Sequence, residues 1–216
     1  MKLIILILSS EQYPYNELEQ GIRDTWLKYA HPNVSVFFYY GGDEFKVEGD
    51  KIYCPYEEKM ENLGYKTIHT LDYIHKKHDY DFIFRTNLSS YVFIEKLYNY
   101  LCSLEQRKIY HGILAEYEDI TFVSGSGIIL SKDVVSSILE NSEKWDHEFI
   151  DDVSFGKILN LLGVEPTKGK RNNVTESREI FTLEENVYHV RCKSFDGEKR
   201  KDTVLFKQIE TILHNA

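Results

Sequence analysis

The chain has 216 residues, 42% hydrophobic and 28% charged, which suits one α/β domain and argues against a disordered polymer. Its formal net charge of −9 disfavours nucleic-acid binding, because an acidic surface repels a phosphate backbone, though a small anion at a helix N-terminus stays possible. Cys54, Cys102 and Cys192 form no Cys-x-x-Cys pair, so a disulfide framework or structural zinc site is not expected, and a reducing compartment is.

Leu3–Leu8 is an unbroken apolar run, the pattern of a buried parallel strand. The run is too short for a signal peptide and lacks a small-residue cleavage site. No stretch approaches ~20 apolar residues, so no membrane span is expected. A helix is expected over Tyr15–Tyr29, with Asn16 as its cap and Leu18, Ile22, Trp26 and Leu27 at helical spacing. His31-Pro32-Asn33 breaks it. Val34–Tyr40 is a β-branched, aromatic strand closed by Gly41-Gly42, and Ile52–Cys54 is a short third strand. Asn62–Lys77 reads as a helix, Phe82–Phe84 as a strand within 81–86, and Glu95–Leu101 as a helix.

Phe122–Leu130 is a strand region interrupted by Ser124-Gly125-Ser126-Gly127. Helices follow at Lys132–Leu139 and Asp151–Leu162, the second ended by Gly163. Val187–Lys193 is a late strand and Val204–Leu213 a final helix. The polar, basic stretch Lys168–Glu179 is expected to be a mobile loop.

Strands alternating with helices predict a single Rossmann-like α/β domain over 1–216, with a mostly parallel central sheet flanked by helices. Right-handed crossovers bring strand C-terminal ends to one edge, where ligands bind in open α/β sheets. The loops at Ser9-Ser10, Gly41-Gly42 and Asn87–Ser90 are expected to meet there.

Four segments resemble, in order, those of inverting family-31 glycosyltransferases, the β-1,3-galactosyltransferase and Fringe group. They are Ile22-Arg23-Asp24-Thr25-Trp26, Asn62-Leu63-Gly64-Tyr65-Lys66-Thr67, Ser124-Gly125-Ser126-Gly127-Ile128-Ile129-Leu130-Ser131 and Asp151-Asp152-Val153-Ser154-Phe155-Gly156. The resemblance implies a type-A glycosyltransferase fold, a nucleotide-sugar donor and inversion at the anomeric carbon. The half 1–90 would bind the nucleotide, and 91–216 would carry the acceptor and catalytic groups.

One-step inversion needs a carboxylate to deprotonate the acceptor hydroxyl and positive charge on the diphosphate leaving group. Asp152 is the expected base and Asp151 its supporting acid, whose proximity should raise one of the two pKa values. Alternatively, both merely cap a helix. Arg23 and Lys66 are candidate diphosphate partners, or else solvated helix residues. Ser124 and Gly125 open a stretch that either lets backbone approach the donor or forms a β-bulge. Ser9, Asn87, Ser89 and Ser90 stand at the ligand edge as further donor contacts.

The family places an Asp-x-Asp after the strand before the donor site, where it holds Mn²⁺. Here Asn87 and Ser89 occupy those positions, so a divalent metal (Mn²⁺ or Mg²⁺) is in doubt. Arg85 offers a fixed charge in its place. A literal Asp-x-Asp, Asp79-Tyr80-Asp81, precedes the strand and belongs to the opposite edge, as an alternative metal site. His189 is either a metal or diphosphate ligand or a structural histidine; Arg191 and Lys193 share its strand face, a set that suits a diphosphate better than a core, with Arg191 an expected donor contact.

The leading reading is an inverting transferase that uses a nucleotide-diphosphate sugar, UDP foremost, and a glycan or glycoprotein acceptor. A catalytically silent nucleotide- or sugar-binding module is the alternative. A nucleotidyltransferase ranks last, because Ser9-Ser10-Glu11-Gln12 lacks a glycine-rich basic loop. With no anchor seen, a microbial or viral cytoplasm is the expected location.

Overall fold

In the computed structural model, which describes residues 1–214, β1 (Leu3–Leu8) runs through the centre of the sheet. Next come α1 (Tyr15–Arg23), β2 (Val34–Gly41), β3 (Lys46–Glu48), β4 (Lys51–Cys54) and α2 (Leu63–Lys77). The middle of the chain forms β5 (Phe82–Asn87), β6 (Ser90–Val92), α3 (Ile94–Cys102), β7 (Tyr110–Tyr117) and β8 (Ile120–Ser131). There follow α4 (Lys132–Glu140), α5 (Asp151–Leu161), β9 (Thr167–Lys168), β10 (Asn172–Asn173) and β11 (His189–Arg191). The chain closes with β12 (Phe195–Asp196), β13 (Lys199–Arg200) and α6 (Asp202–His214).

The main sheet has eight strands in the order β3-β4-β2-β1-β5-β8-β7-β9. It is parallel from β4 through β5 and antiparallel where β8 joins β5 and β7. The β7–β8 pairing follows from their short connection, where Glu118 takes a left-handed φ of 53°, because a tight turn can only join antiparallel strands.

Strand alternation assigns each residue of β1 to a layer. Leu3, Ile5 and Ile7 face one core with α1, α3 and α6, through Leu18, Leu97 and Phe206. Ile4 and Leu6 face the other, with α2, α4 and α5, through Leu71, Val135 and Phe155. A three-stranded sheet, β10-β11-β6, adds a second, smaller layer in which Arg191 pairs with Ser90.

Two local expectations are corrected. The first helix ends at Arg23 rather than Tyr29, and Trp26–Lys28 form a separate 3-10 turn. The buried Trp26 donates its indole N–H to the Ser90 carbonyl at 2.9 Å, a tertiary anchor that overrides helical periodicity. The N-cap is Pro14, so Asn16 lies within the helix. The stretch Lys168–Glu179 is tied down rather than loose: β9 pairs with β7, β10 pairs with β11, and Glu176 and Glu179 form a capping box. Among the described residues, no helix is long and apolar enough to cross a membrane.

Candidate active site

A cleft of about 480 Å³, a volume suited to a small-molecule ligand, opens at the C-terminal ends of β1 and β5. Ser9 and Ser10 enter from β1, Asn87 and Ser89 from the end of β5, and Ser124 and Gly125 from β8. Asp151 and Asp152 enter from the first turn of α5, and Arg191, Lys193 and Arg200 from the C-terminal segment.

Helix α5 begins at Asp151 and its N-cap is Ile150, so neither aspartate is the cap. Both side chains instead reach toward neighbouring elements. Asp151 is 4% exposed, forms a buried ion pair with Arg85, and accepts the Thr67 hydroxyl at 3.0 Å. Asp152 accepts the Gly125 N–H on Oδ2 at 2.9 Å and the Val153 N–H on Oδ1 at 3.0 Å. Each oxygen keeps a lone pair for a further donor. Burial first, then the charge of Asp151, raise the Asp152 carboxyl above its ordinary pKa.

Strand β8 has no room for a side chain at Gly125. A Cβ there would lie 2.8 Å from Arg85 Nη1 and 3.1 Å from Asp152 Oδ2. Residues 124–127 also leave the β7–β8 ladder, whose register shifts between Gly112 and Leu114. The stretch is thus irregular, as a β-bulge reading expects, and Ser124, Gly125 and Ser126 line the cleft.

The candidate cations divide into two groups. Arg85 is buried and spends its donors inside the protein, on Asp151, the Gly125 carbonyl and Tyr39 Oη. Lys66 is fully buried, paired with Glu58, and lies beneath the cleft rather than on it. Arg23 does not line the cleft: it grips Asp50 with two hydrogen bonds, of 2.7 and 3.0 Å, and pairs with Glu19. Its part is indirect, since Glu19 accepts the Ser9 hydroxyl at 2.8 Å and so fixes the end of β1. Ser90 is buried among Thr86, Ser126 and His189 and is not a cleft residue.

His189 is not placed to hold a metal. It is 2% exposed, with Nε2 2.9 Å from Ser90 Oγ and its ring edge-on to Phe84. Burial, reinforced by Arg171 and Arg191, holds its pKa well below the ordinary value. Asp79 and Asp81 lie at the N-terminal end of β5, where Asp79 pairs with Lys2 and Lys132 and Asp81 accepts the Lys2 N–H. Among the described residues, no cluster of three His, Cys, Asp or Glu is arranged to hold a metal ion. At the position expected for the metal, Asn87 Oδ1 accepts the Ser89 N–H at 3.1 Å, and Ser89 Oγ accepts from Arg200 at 2.8 Å. Neutral, already engaged oxygens are a poor donor set for a hard dication, so the residues present do not fit Mn²⁺ or Mg²⁺.

Sequence reasoning missed two cations that the fold delivers. Arg171, from the stretch expected to be mobile, hydrogen-bonds Ser124 Oγ at 3.2 Å and also Ser126 Oγ. Arg200 is pinned by Asp202, at 2.9 and 2.6 Å, and points at Ser89. Arg171 directly precedes the short strand β10 and Arg200 lies in the short strand β13, neither with hydrophobic periodicity, and no sequence signal marked them as cleft cations.

No protein-family profile matches the chain, and no curated protein matches it by sequence. Solved structures do share its fold. A glycosyltransferase involved in glycosylating the major capsid of PBCV-1 superposes with a TM-score of 0.55 at 12% identity, covering 97% of this chain and 100% of that one. The glycosyltransferase GlyE of Streptococcus pneumoniae TIGR4 gives 0.51 at 13% identity, covering 97% of this chain. The chain spans only 60% of GlyE's length. The galactosyltransferase LgtC, solved with donor and acceptor sugar analogs, gives 0.51 at 10% identity, covering 99% of this chain and 96% of that one. The chain has the type-A glycosyltransferase fold.

Proposed function

We propose that the chain is an inverting glycosyltransferase that moves a sugar from a nucleotide-diphosphate donor, UDP-sugar foremost, to a glycan hydroxyl. The observation that carries this reading is the state of Asp152. Among the carboxylates lining the cleft, Asp151 is paired with Arg85 and Glu58 with Lys66, while no ion pair engages Asp152. A cleft carboxylate with free lone pairs and a raised pKa is a suitable general base. The family-31 resemblance of Asp151-Asp152-Val153 and the shared fold support the same assignment.

In this mechanism Asp152 takes the proton of the acceptor hydroxyl. The freed oxygen attacks the anomeric carbon, the bond to the donor phosphate breaks, and the diphosphate leaves with the electron pair. Asp151 holds Arg85, and through it the Gly125 carbonyl, so the acid beside the base is a positioning group. The half 1–90 supplies Ser9, Asn87 and Ser89 toward the donor, and 91–216 supplies the base and the cations. Exposed Tyr15, Met60 and Ile150 rim the cleft and offer apolar surface for an acceptor sugar ring.

The test incubates the chain with UDP- and GDP-sugars and follows release of nucleotide diphosphate. The Asp152→Asn variant should lower turnover by about 10²–10⁴-fold, the usual contribution of a general base. Release at the parent rate would remove Asp152 from the mechanism. Donor binding without turnover by the parent would favour the silent binding module.

A further inference from the structure

Pairing off the charges around the cleft leaves a distinct remainder. Arg85 is matched by Asp151, Lys66 by Glu58, Lys59 by Glu57 and Arg200 by Asp202. Among the described residues, no carboxylate forms an ion pair with Arg171, Arg191 or Lys193. Three cations without a carboxylate partner among the described residues, gathered in an otherwise acidic chain of net charge −9, call for an anionic ligand.

Topology explains how they meet. Arg191 ends β11 beside Ser90, and Lys193 follows two residues later; both line the cleft. Arg171 immediately precedes β10, which pairs in parallel with β11, and its guanidinium donates to Ser124 and Ser126 of the cleft wall without itself lining the cleft. The Nε atoms of Arg171 and Arg191 are buried without a hydrogen-bond partner in the protein. The two guanidinium groups also repel: Arg171 is pushed down to about 10, by burial first and by the charge of Arg191 second. A bound anion would relieve that repulsion.

We propose that this cleft holds the donor diphosphate through Arg191 and Lys193, backed by the positive charge of the neighbouring Arg171, without a divalent metal. The proposal rests on the transferase reading above and extends it to the leaving-group site. Arg200, neutralised by Asp202, is a positioning residue that orients Ser89 rather than a free charge. Guanidinium and ammonium groups can stabilise the departing diphosphate as a metal would, because both place fixed positive charge on its oxygens.

The experiment is calorimetric titration of UDP, GDP and inorganic pyrophosphate into the whole chain, once in EDTA and once in Mn²⁺. Affinity should agree within about twofold between the two buffers, because Asn87 and Ser89 offer no carboxylate at the metal position and Asp151 is already paired with Arg85. The R191Q/K193Q double variant, checked for folding by circular dichroism, should bind at least about tenfold more weakly, the loss expected for charged hydrogen bonds. R191K, which keeps the charge, should recover part of that loss. A Mn²⁺ requirement, or a folded double variant that binds like the parent, overturns the proposal. Pyrophosphate that binds without metal and is lost in the double variant, with neither nucleotide binding, would uphold the cationic site and defeat the nucleotide-sugar reading. If neither pyrophosphate nor nucleotide binds, both fall.

Discussion

Asp152 combines burial with a task that needs its charge. Its raised pKa means that the folded chain keeps this proton to higher pH than the unfolded chain does. Between the ordinary carboxylate pKa and the raised one, increasing pH therefore costs stability. Asp152→Asn removes that cost and keeps an oxygen for the Gly125 N–H. The variant should melt at a higher temperature than the parent at neutral pH, and the gain should shrink as pH falls below the ordinary value. Thermal melts across that range check it; a variant less stable at neutral pH would contradict the assigned burial cost. Arg85 is the opposite case. Arg85→Ala strands a buried Asp151 and should cost about 3–5 kcal/mol in urea denaturation.

At the scale of elements, the cleft depends on β8 between Ser124 and Ser126. Asp152 accepts from the backbone at Gly125, Arg85 donates to it, and Arg171 holds the hydroxyls on either side. Gly125→Ala places a Cβ 2.8 Å from Arg85 Nη1 and 3.1 Å from Asp152 Oδ2 and should lower turnover by roughly 10²-fold, the scale of a 1 Å misplacement of a catalytic group. Steady-state kinetics beside a melt separates this from unfolding. The elements of the parallel half were legible in the sequence, because β1 and β5 are buried runs and β2 a β-branched, aromatic one closed by Gly41-Gly42. β7, β9, β10 and the β12–β13 hairpin were not. Their residues are polar or exposed along much of their length, and long-range pairing rather than local pattern makes them strands.

At the scale of the whole molecule, the site joins segments far apart in sequence. Ser9, Asn87, Ser124, Asp152 and Arg191 line one cleft although 182 positions separate the first from the last. The resemblance pointed to the aspartates and the Ser124–Gly127 stretch, and chain order pointed to the strand ends. Side-chain direction was not legible. Arg23 and Lys66 stand in family-like segments, yet one supports β1 through Glu19 and the other is buried under Glu58. Of the cationic wall, Arg191 and Lys193 were legible from their shared strand face, whereas Arg171 was hidden because long-range strand pairing, not local pattern, brings it beside them.

The central claim is a single displacement driven by Asp152. Proton NMR of the sugar first released from an α-linked nucleotide-sugar, recorded before mutarotation and with water as acceptor, tests it most directly. The account predicts that the β-anomer appears first, and that Asp152→Asn releases neither anomer at the parent rate. An α-anomer appearing first would contradict it.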